Sequence, residues 1–197
     1  TGSISCWGSN GSGRLGDGTL TSRSSPVPVQ GIDNATSVSS GFEFSCARLS
    51  DSTVRCWGKN FLGQLGNSGN NDSRTPVVVT GINNATQISV GAAHACARLV
   101  DSTIKCWGYN GNGQLGDGNT ISLNQPVVVP GIDSAVSVVT GVSTTCARLA
   151  DGRVKCWGSN NSGQTGIGHR DAPFRVTTPT FVPDINEAIG ILSAGSH

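Results

Sequence analysis

Short apolar runs separated by Gly, Asn, Asp and Ser recur along the chain, and they predict β-strands joined by tight turns. In the clearest stretch, four segments rich in β-branched residues are bounded by such turn residues: 76–79, 86–90, 94–99 and 103–107. This pattern is typical of a turn-rich all-β protein. No stretch free of Gly and Pro repeats its apolar residues at the spacing of three and four that a helix requires. The pattern therefore predicts an all-β fold.

The same pattern returns every fifty residues. Cys-Trp-Gly begins at residues 6, 56, 106 and 156, and Cys-Ala-Arg-Leu begins at residues 46, 96 and 146. The repeats are 1–50, 51–100, 101–150 and 151–197, the last with a four-residue insertion and without its Cys-Ala-Arg-Leu strand. Repeating four-stranded units of this length are typical of β-propeller blades, whereas a parallel β-solenoid, the rival fold, has a shorter period. We therefore predict a single propeller segment built of four-stranded blades.

Cysteine spacing predicts a covalently closed hairpin in three of the units. Cys96 and Cys106 lie equally far from the turn residue Asp101. Directly opposed residues of an antiparallel pair are close enough for a disulfide. We predict disulfides joining Cys46 to Cys56, Cys96 to Cys106 and Cys146 to Cys156, with Cys6 unpaired or linked to another segment. Disulfides at this density indicate an oxidising, extracellular compartment, and the alternative is three reduced pairs in the core of a cytosolic protein.

Both ends of the chain fall inside a repeat. Thr1 aligns with Asp51 in the hairpin turn, and residues 194–197 align with the segment just before a Cys-Ala-Arg-Leu strand. One interpretation is that these residues belong to a longer propeller with further units on both sides. The other is that the open strand edges are completed by another copy or by a partner through strand addition. The first is favoured, because open edges and a lone thiol both promote unwanted association.

The segment Trp57-Gly-x-Asn-x-x-Gly-Gln-Leu-Gly66, with its three sister segments, resembles the repeats of the regulator of chromosome condensation family. The resemblance covers essentially the whole chain and implies a propeller of the seven-bladed type, of which four units form only a part. The paired cysteines look similar to a secreted bacterial branch of that family rather than to the nuclear exchange factor. Nucleosome binding and nucleotide exchange, known in the family's founder, and β-lactamase inhibition, known in a secreted relative, do not follow for this chain, because repeat motifs do not specify the partner-contacting loops.

Residues with catalytic potential do not form a recognisable site. His94, His169 and His197 are not arranged with Ser, Cys or Asp in the manner of a nucleophilic triad, and we interpret the loop around His169 as a solvated insertion. The two glutamates, Glu43 and Glu187, suggest no catalytic carboxylate pair. Cys-x-x-Cys zinc spacing is missing, and two Gly-x-Gly-x-x-Gly matches lack the helix that would bind a phosphate. We predict no catalytic residue, no metal and no cofactor.

The low charge of the chain and its large apolar residues at loop positions favour a protein as the binding partner. Charged residues make up 13% of the chain and the net charge is +1, which does not favour binding to nucleic acid or insertion into a membrane. Large apolar residues that depart from the repeat consensus are the binding candidates: Phe42, Phe44, Phe61, Leu62 and Tyr109. Five Asn-x-Ser/Thr sequons are candidate glycosylation sites: Asn10, Asn34, Asn71, Asn84 and Asn160.

The sequence therefore predicts an extracellular protein-binding or scaffold propeller without catalytic activity, whose partner is a protein or further copies of itself. One alternative is a structural subunit of an extracellular fibre or surface layer, assembled through open β edges. A further alternative is a propeller that binds or processes glycans.

Overall fold

The computed structural model describes residues 2–168 and 174–192. Across those residues the regular secondary structure consists entirely of β-strands. The strands are β1 (Ser5–Gly8), β2 (Arg23–Pro28), β3 (Ala35–Ser40), β4 (Phe44–Leu49), β5 (Val54–Gly58), β6 (Ser73–Val78), β7 (Ala85–Val90), β8 (His94–Leu99), β9 (Ile104–Gly108), β10 (Leu123–Val128), β11 (Ala135–Thr140), β12 (Thr144–Leu149), β13 (Val154–Ser159) and β14 (Arg175–Phe181).

Consecutive strands pair antiparallel into one two-stranded sheet and three four-stranded sheets. The small sheet is β1–β2, and the complete ones are β3 to β6, β7 to β10 and β11 to β14, each ordered as in the chain. The first strands of the complete sheets, β3, β7 and β11, lie side by side, with β7 also packing on β4 and β11 on β8. Sheets arranged in this way are the blades of an open propeller, which confirms the predicted fold.

Each complete blade takes its strands from two neighbouring sequence repeats. The first two strands of the blade, β3 and β4, lie in repeat 1–50, and the other two, β5 and β6, lie in repeat 51–100. The repeats read from the sequence are therefore half a blade out of phase with the sheets.

The cysteines sit on facing positions of the second and third strand of each complete blade. Cys46 pairs with Cys56, Cys96 with Cys106 and Cys146 with Cys156 in the strand register. Their Cα atoms lie 4.0, 4.1 and 4.1 Å apart, and all three pairs are bonded. The pairing predicted from the ten-residue spacing is confirmed.

Removing one of these disulfides should measurably destabilise the fold. We expect the double variant Cys96→Ala/Cys106→Ala to lose about 3 kcal/mol of unfolding free energy, because the crosslink restricts the unfolded chain. Cys6→Ala is the matched control, since Cys6 forms no disulfide; it should change the unfolding free energy by about 0.5 kcal/mol or less. Urea denaturation of the three proteins measures both changes. Equal stability of the double variant and the control would contradict the prediction.

The Trp residues of the complete blades join each blade to the preceding unit. Trp57, Trp107 and Trp157 are fully buried. Each indole Nε1 donates a hydrogen bond of 2.9 Å to a carbonyl forty-three residues earlier, those of Arg14, Gln64 and Gln114. The last glycine of the repeat motif packs on the indole ring; a Cβ on Gly66 would lie 2.8 Å from Cδ1 of Trp107. The Trp of one blade and the last glycine of the preceding repeat motif thus pack against each other where neighbouring blades meet.

A buried asparagine follows each of the strands β1, β5 and β9, and its side chain holds the long loop that comes next. The side-chain Oδ1 of Asn60 accepts a hydrogen bond of 2.9 Å from the backbone N–H of Leu65, and its Nδ2 donates to the carbonyls of Gly69 and Asn71 at 2.9 and 3.1 Å. Asn10 and Asn110 accept the equivalent bonds from Leu15 and Leu115. This asparagine satisfies loop backbone groups that would otherwise be buried without partners. The loops are therefore held in fixed conformations.

Candidate functional site

Loops at the two ends of the strands form two faces of the molecule. One face, here called the long-loop face, carries the β3–β4 turn (41–43), the β5–β6 loop (59–72) and their counterparts in the neighbouring blades. The opposite face carries the β4–β5 turn (50–53) and the β6–β7 connection (79–84) with their counterparts. Binding residues concentrate on loops held by a rigid scaffold, so exposed apolar groups on these two faces are the candidates for contact with a partner.

Two exposed phenylalanines lie on the long-loop face. The side chains of Phe42 and Phe61 are 67% and 75% exposed. Their backbones are fixed: the N–H of Phe42 donates to the carbonyl of Ala92 at 3.2 Å, and the carbonyl of Phe61 accepts from Nδ2 of Asn70 at 3.2 Å. These two aromatic side chains are therefore presented to solvent from ordered loops.

A cluster of three charged side chains ties the loops of the two phenylalanines together. Glu43 forms ion pairs with Lys59 and, at 3.2 Å, with Arg14. Arg14 also donates to the carbonyl of Phe42 at 2.9 Å, and the backbone N–H of Lys59 donates to the carbonyl of Glu43 at 2.8 Å. The hydrogen bond from Lys59 lowers the pKa of Glu43, so this carboxylate stays ionised. The cluster therefore joins the turn that carries Phe42 to the loop that carries Phe61.

An apolar depression lies beside Phe42, where the turns between the first and second strands of the blades meet. It has a volume of about 190 Å³ and includes Phe42, Ala92 and Val142 in its lining. The turns approach so closely that a Cβ on Gly41 would lie 2.2 Å from the carbonyl oxygen of Gly91. The long-loop face therefore combines a projecting aromatic ring with an adjacent recess of backbone and small apolar side chains.

The other predicted binding residues lie in less exposed positions. Leu62 and Tyr109 are half-buried, and Tyr109 folds over Gly111, where an added Cβ would lie 2.1 Å from the phenol oxygen. Phe44 is buried in the core at the start of β4, so its assignment as a binding residue is wrong. The reason is geometric, because the side chain of Phe44 points into the blade while Phe42 lies in the turn just before it.

Two of the predicted glycosylation sites are contradicted by burial. The side chain of Asn10 is fully buried, and its Nδ2 donates to Asp17 Oδ1 and to the carbonyl of Thr19, both at 3.1 Å. Asn160 is buried too, and its Oδ1 accepts hydrogen bonds from Thr165. A glycan on either amide would have to displace loop contacts, so these two assignments are wrong. Asn34 and Asn84 are half-buried and Asn71 is exposed, and glycosylation there stays a prediction.

The ion pair between Arg14 and Glu43 was missed by sequence reasoning. Both residues depart from the repeat: Arg14 takes the place of Gln64 and Gln114, and Glu43 takes the place of Ala93. In the regular units the glutamine Oε1 accepts a local backbone hydrogen bond instead, as Gln64 does from Leu62 at 2.8 Å. The sequence did contain a signal for this ion pair, since two residues that depart from the repeat consensus carry charges of opposite sign.

No other chemical centre stands out in the part of the chain that the structure describes. Within it, no group of three or more His, Cys, Asp or Glu side chains is placed to hold a metal ion. No helix able to span a membrane is found there. The predicted solvated insertion at His169, Arg170 and Asp171, and also His197, lie outside the described residues.

Comparison with known proteins agrees with the repeat and the blades. Two family models, both described as the regulator of chromosome condensation (RCC1) repeat, match residues 35–64, 85–114 and 135–164, and residues 1–48, 51–98 and 106–148. The chain belongs to the RCC1 repeat family. No curated protein matches its sequence.

Solved RCC1-type structures share this fold. Yeast RCC1 (Prp20), in a crystal structure of Kap60 bound to it, matches with a TM-score of 0.85 and 20% identity over 100% of this chain and 49% of that one. Prp20p from Saccharomyces cerevisiae gives a TM-score of 0.82 and 22% identity over 100% and 50%. Human WBSCR16 gives 0.75 and 21% over 90% and 46%. The chain thus spans about half the length of the structures that it resembles.

Proposed function

We propose that this chain is a protein-binding propeller module that acts outside the cell and binds its partner through the long-loop face. The observation that carries this proposal is the pair of exposed phenylalanines, Phe42 and Phe61, in two loops that the Glu43–Lys59 ion pair joins. Aromatic residues, phenylalanine among them, are enriched at the centres of protein interfaces. The partner class is a folded protein or peptide with an apolar side chain to place against these rings.

The fixed loops support binding. An anchor that is already ordered loses little conformational entropy when a partner arrives. The backbone of Phe42 is hydrogen-bonded to Ala92 of the neighbouring blade, and that of Phe61 to Asn70 further along its own loop. The recess beside Phe42 offers a place for one apolar side chain of the partner. Affinity would then come from a small aromatic patch rather than from charge, in keeping with the low charge content of the chain.

Solved proteins that share this fold include ones that bind other proteins. Yeast RCC1 (Prp20) was crystallised with Kap60 bound, and Prp20p has binding properties towards Gsp1p and histones. Kap60, Gsp1p and histones are partners of the yeast proteins. For the present chain they support the proposal that an RCC1-type propeller serves as a protein-binding scaffold, and its own partner is set by its own loops.

Chemistry on the long-loop face favours binding without catalysis. A carboxyl group that acts as general acid needs a raised pKa. The pKa of Glu43 is lowered instead by its hydrogen bond to Lys59. Its two ion pairs also occupy the carboxylate. Glu43 thus holds the loops in place.

The extracellular setting is supported by the three disulfides. Structural disulfides persist in oxidising compartments and are rare in the cytosol of mesophiles. Each complete blade carries one between its second and third strand.

Replacing the two exposed rings tests the binding face. We expect the double variant Phe42→Ala/Phe61→Ala to capture its partner from native extract at least about thirtyfold more weakly than the unchanged chain, as for the loss of a hot spot worth about 2 kcal/mol. Val100→Ala is the control, because Val100 is a large exposed apolar residue at the β8–β9 turn, on the opposite face. The measurement is quantitative mass spectrometry of captured proteins over a titration of immobilised chain.

The two variants separate the possible outcomes. A protein retained by the unchanged chain and by Val100→Ala, but lost with the double variant, is a partner bound on the long-loop face. Retention by the double variant combined with loss in Val100→Ala would place the interface on the other face and refute the proposal. Circular dichroism checks that both variants remain folded, as expected for exposed side chains.

A further inference from the structure

The loop that carries Phe61 (59–72) is held by the next blade. Ser68 of this loop donates its backbone N–H to the carbonyl of Asn124 at 2.9 Å. The side chain of Asn124 binds the loop in turn, since its Nδ2 donates to the carbonyl of Ser68 at 3.2 Å and to Oδ1 of Asn70 at 2.8 Å. Asn124 lies in β10, the last strand of the blade that follows the loop's own. Side-chain amides thus join two blades at the long-loop face.

Asn70 extends this contact to Phe61. Its Oδ1 accepts from Asn124, which leaves its Nδ2 to donate to the carbonyl of Phe61 at 3.2 Å. A side-chain amide has one oxygen and one NH₂ group, so the donor from Asn124 fixes which way round the amide of Asn70 lies. The backbone of Phe61 is therefore tied, through one intermediate side chain, to a residue of the next blade.

Ser68 shows how firmly this contact holds the loop. Its φ is 69°, in the left-handed region, where the equivalent loops have Gly18 and Gly118. A residue with a side chain is strained there and keeps that conformation only when its surroundings hold it. Asn124 binds both the N–H and the carbonyl of Ser68. Close packing adds to this, because a Cβ on Gly63 would lie 2.6 Å from the Cα of Asn124.

Both amide side chains depart from the repeat, as the exposed ring does. The loops before and after this one have the same backbone bond to the next blade. Their side chains at the positions of Asn124, Asn70 and Phe61 are, respectively, Arg74 and Thr177, Leu20 and Thr120, and Gly11 and Gly111. Contacts that only stabilise the fold recur from unit to unit. The amide pair instead occurs together with the exposed phenylalanine, in one loop.

We propose that Asn124 is a positioning residue for the partner site: through Ser68 and Asn70 it fixes the loop 59–72 in the conformation that presents Phe61 to a partner. This role rests on the function proposed above for the long-loop face. A loop that is ordered before binding loses less conformational entropy when the partner arrives. The blade β7–β10 thus contributes to binding through a side chain that acts on Phe61 indirectly.

Asn124→Asp tests this role with no partner present. A carboxylate has nearly the shape of the amide but donates no hydrogen bond, so the bonds to Ser68 and Asn70 are lost. We expect the backbone order parameter of Phe61, measured by ¹⁵N relaxation, to fall from about 0.85 to below about 0.6. The order parameter of Phe42 should stay unchanged, whereas a general loosening of the fold would lower both.

Two further variants separate the contact from its charge. Asn70→Asp keeps an acceptor for Asn124 but removes the donor to Phe61, so it should lower the order parameter of Phe61 and leave that of Ser68 high. Asn83→Asp is the matched control, because Asn83 is exposed on the opposite face and two other repeats have aspartate at its position. It adds the same charge and should change neither order parameter.

Binding is measured with the protein that Phe42→Ala/Phe61→Ala fails to capture. Asn124→Asp should weaken its capture about tenfold in the unchanged chain, and less than about twofold when Phe61 is already Ala, because Asn124 acts through Phe61. An unchanged order parameter of Phe61, or equal weakening in both backgrounds, would refute the role of Asn124. A capture experiment in which the double variant loses no protein refutes the proposed function instead, and the order parameters then decide alone whether Asn124 positions Phe61.

Discussion

Replacing Trp107 by Ala should lower the unfolding free energy by about 4 kcal/mol, whereas the same change at Trp7 should cost about 1 kcal/mol or less. Trp107 is fully buried and donates a hydrogen bond to the carbonyl of Gln64 at 2.9 Å. Its removal leaves a cavity at the joint between two blades and an unpaired carbonyl. Trp7 occupies the same place in the repeat but is 62% exposed. Urea denaturation followed by far-UV circular dichroism measures both changes.

A third variant, Trp107→Phe, divides the effect into packing and hydrogen bonding. Phenylalanine keeps most of the apolar area but has no N–H, so the carbonyl of Gln64 loses its donor. We expect a loss of about 1 to 2 kcal/mol, intermediate between the unchanged chain and Trp107→Ala. Equal losses for Trp7→Ala and Trp107→Ala would show that the two tryptophans are equivalent and that the joint is not what stabilises the blades.

The strands could be predicted because their signal is local and repeated. Predicted segments 86–90, 94–99 and 103–107 correspond closely to β7, β8 and β9. The segment 76–79 starts late, since β6 begins at Ser73. Residues Ser73, Arg74 and Thr75 are polar, but Ser73 faces Gly58 across the sheet. Strand pairing extends β6 beyond its apolar part, and the sequence of β6 alone contains no sign of that.

The blade boundaries could not be predicted, because a period has no natural starting point. The sequence motif begins at the cysteine of the third strand, whereas each sheet begins at the strand that lies against the neighbouring blade, such as Ala35–Ser40. The order of strands in space depends on packing between units. Cysteine pairing was predictable for the opposite reason, since it depends only on a ten-residue hairpin.

The binding face could be predicted only in part. Phe42 and Phe44 are two positions apart, and both replace smaller residues of the repeat. One is exposed in a turn and the other is buried at the start of β4. Residue type alone cannot tell the exposed phenylalanine from the buried one. Their exposure depends on the direction in which the backbone turns at Glu43. The ion pair of Glu43 with Arg14 joins residues twenty-nine positions apart, beyond the reach of local pattern analysis.

His94 is a titratable side chain buried inside a blade. It is fully buried at the start of β8, where the equivalent residue of the preceding blade is Phe44. Its Nε2 lies 2.9 Å from Oγ1 of Thr145, whose own proton is donated to the carbonyl of Gln114. Nε2 must therefore be the protonated nitrogen. Nδ1 is left with a buried lone pair that has no hydrogen-bond partner among the described residues.

Acid should destabilise the chain through this histidine. Burial lowers the pKa of His94 from 6.5 to about 3, so the folded chain keeps it neutral while the unfolded chain protonates it below pH 6.5. Between these two values the unfolded state binds more protons, and the unfolding free energy falls as the pH falls. The stability is complete above pH 6.5. At about 1.4 kcal/mol for each pH unit, about 3 kcal/mol is lost from this group between pH 6.5 and pH 4.

The variant His94→Phe isolates the contribution of His94 to the pH dependence of stability. Phe44, at the equivalent position of the preceding blade, shows that a phenyl ring can be buried there. The carboxylates of Glu43 and Asp51 also lose their contribution to stability in acid, since hydrogen bonds from Lys59 and from the Thr53 hydroxyl lower their pKa values. Both proteins share those groups, so they cancel in the difference. Urea denaturation at pH 7, 5.5 and 4 should show the variant losing about 3 kcal/mol less than the unchanged chain over the same range. Parallel pH profiles would mean that the imidazole is solvated or gains a partner for its second proton.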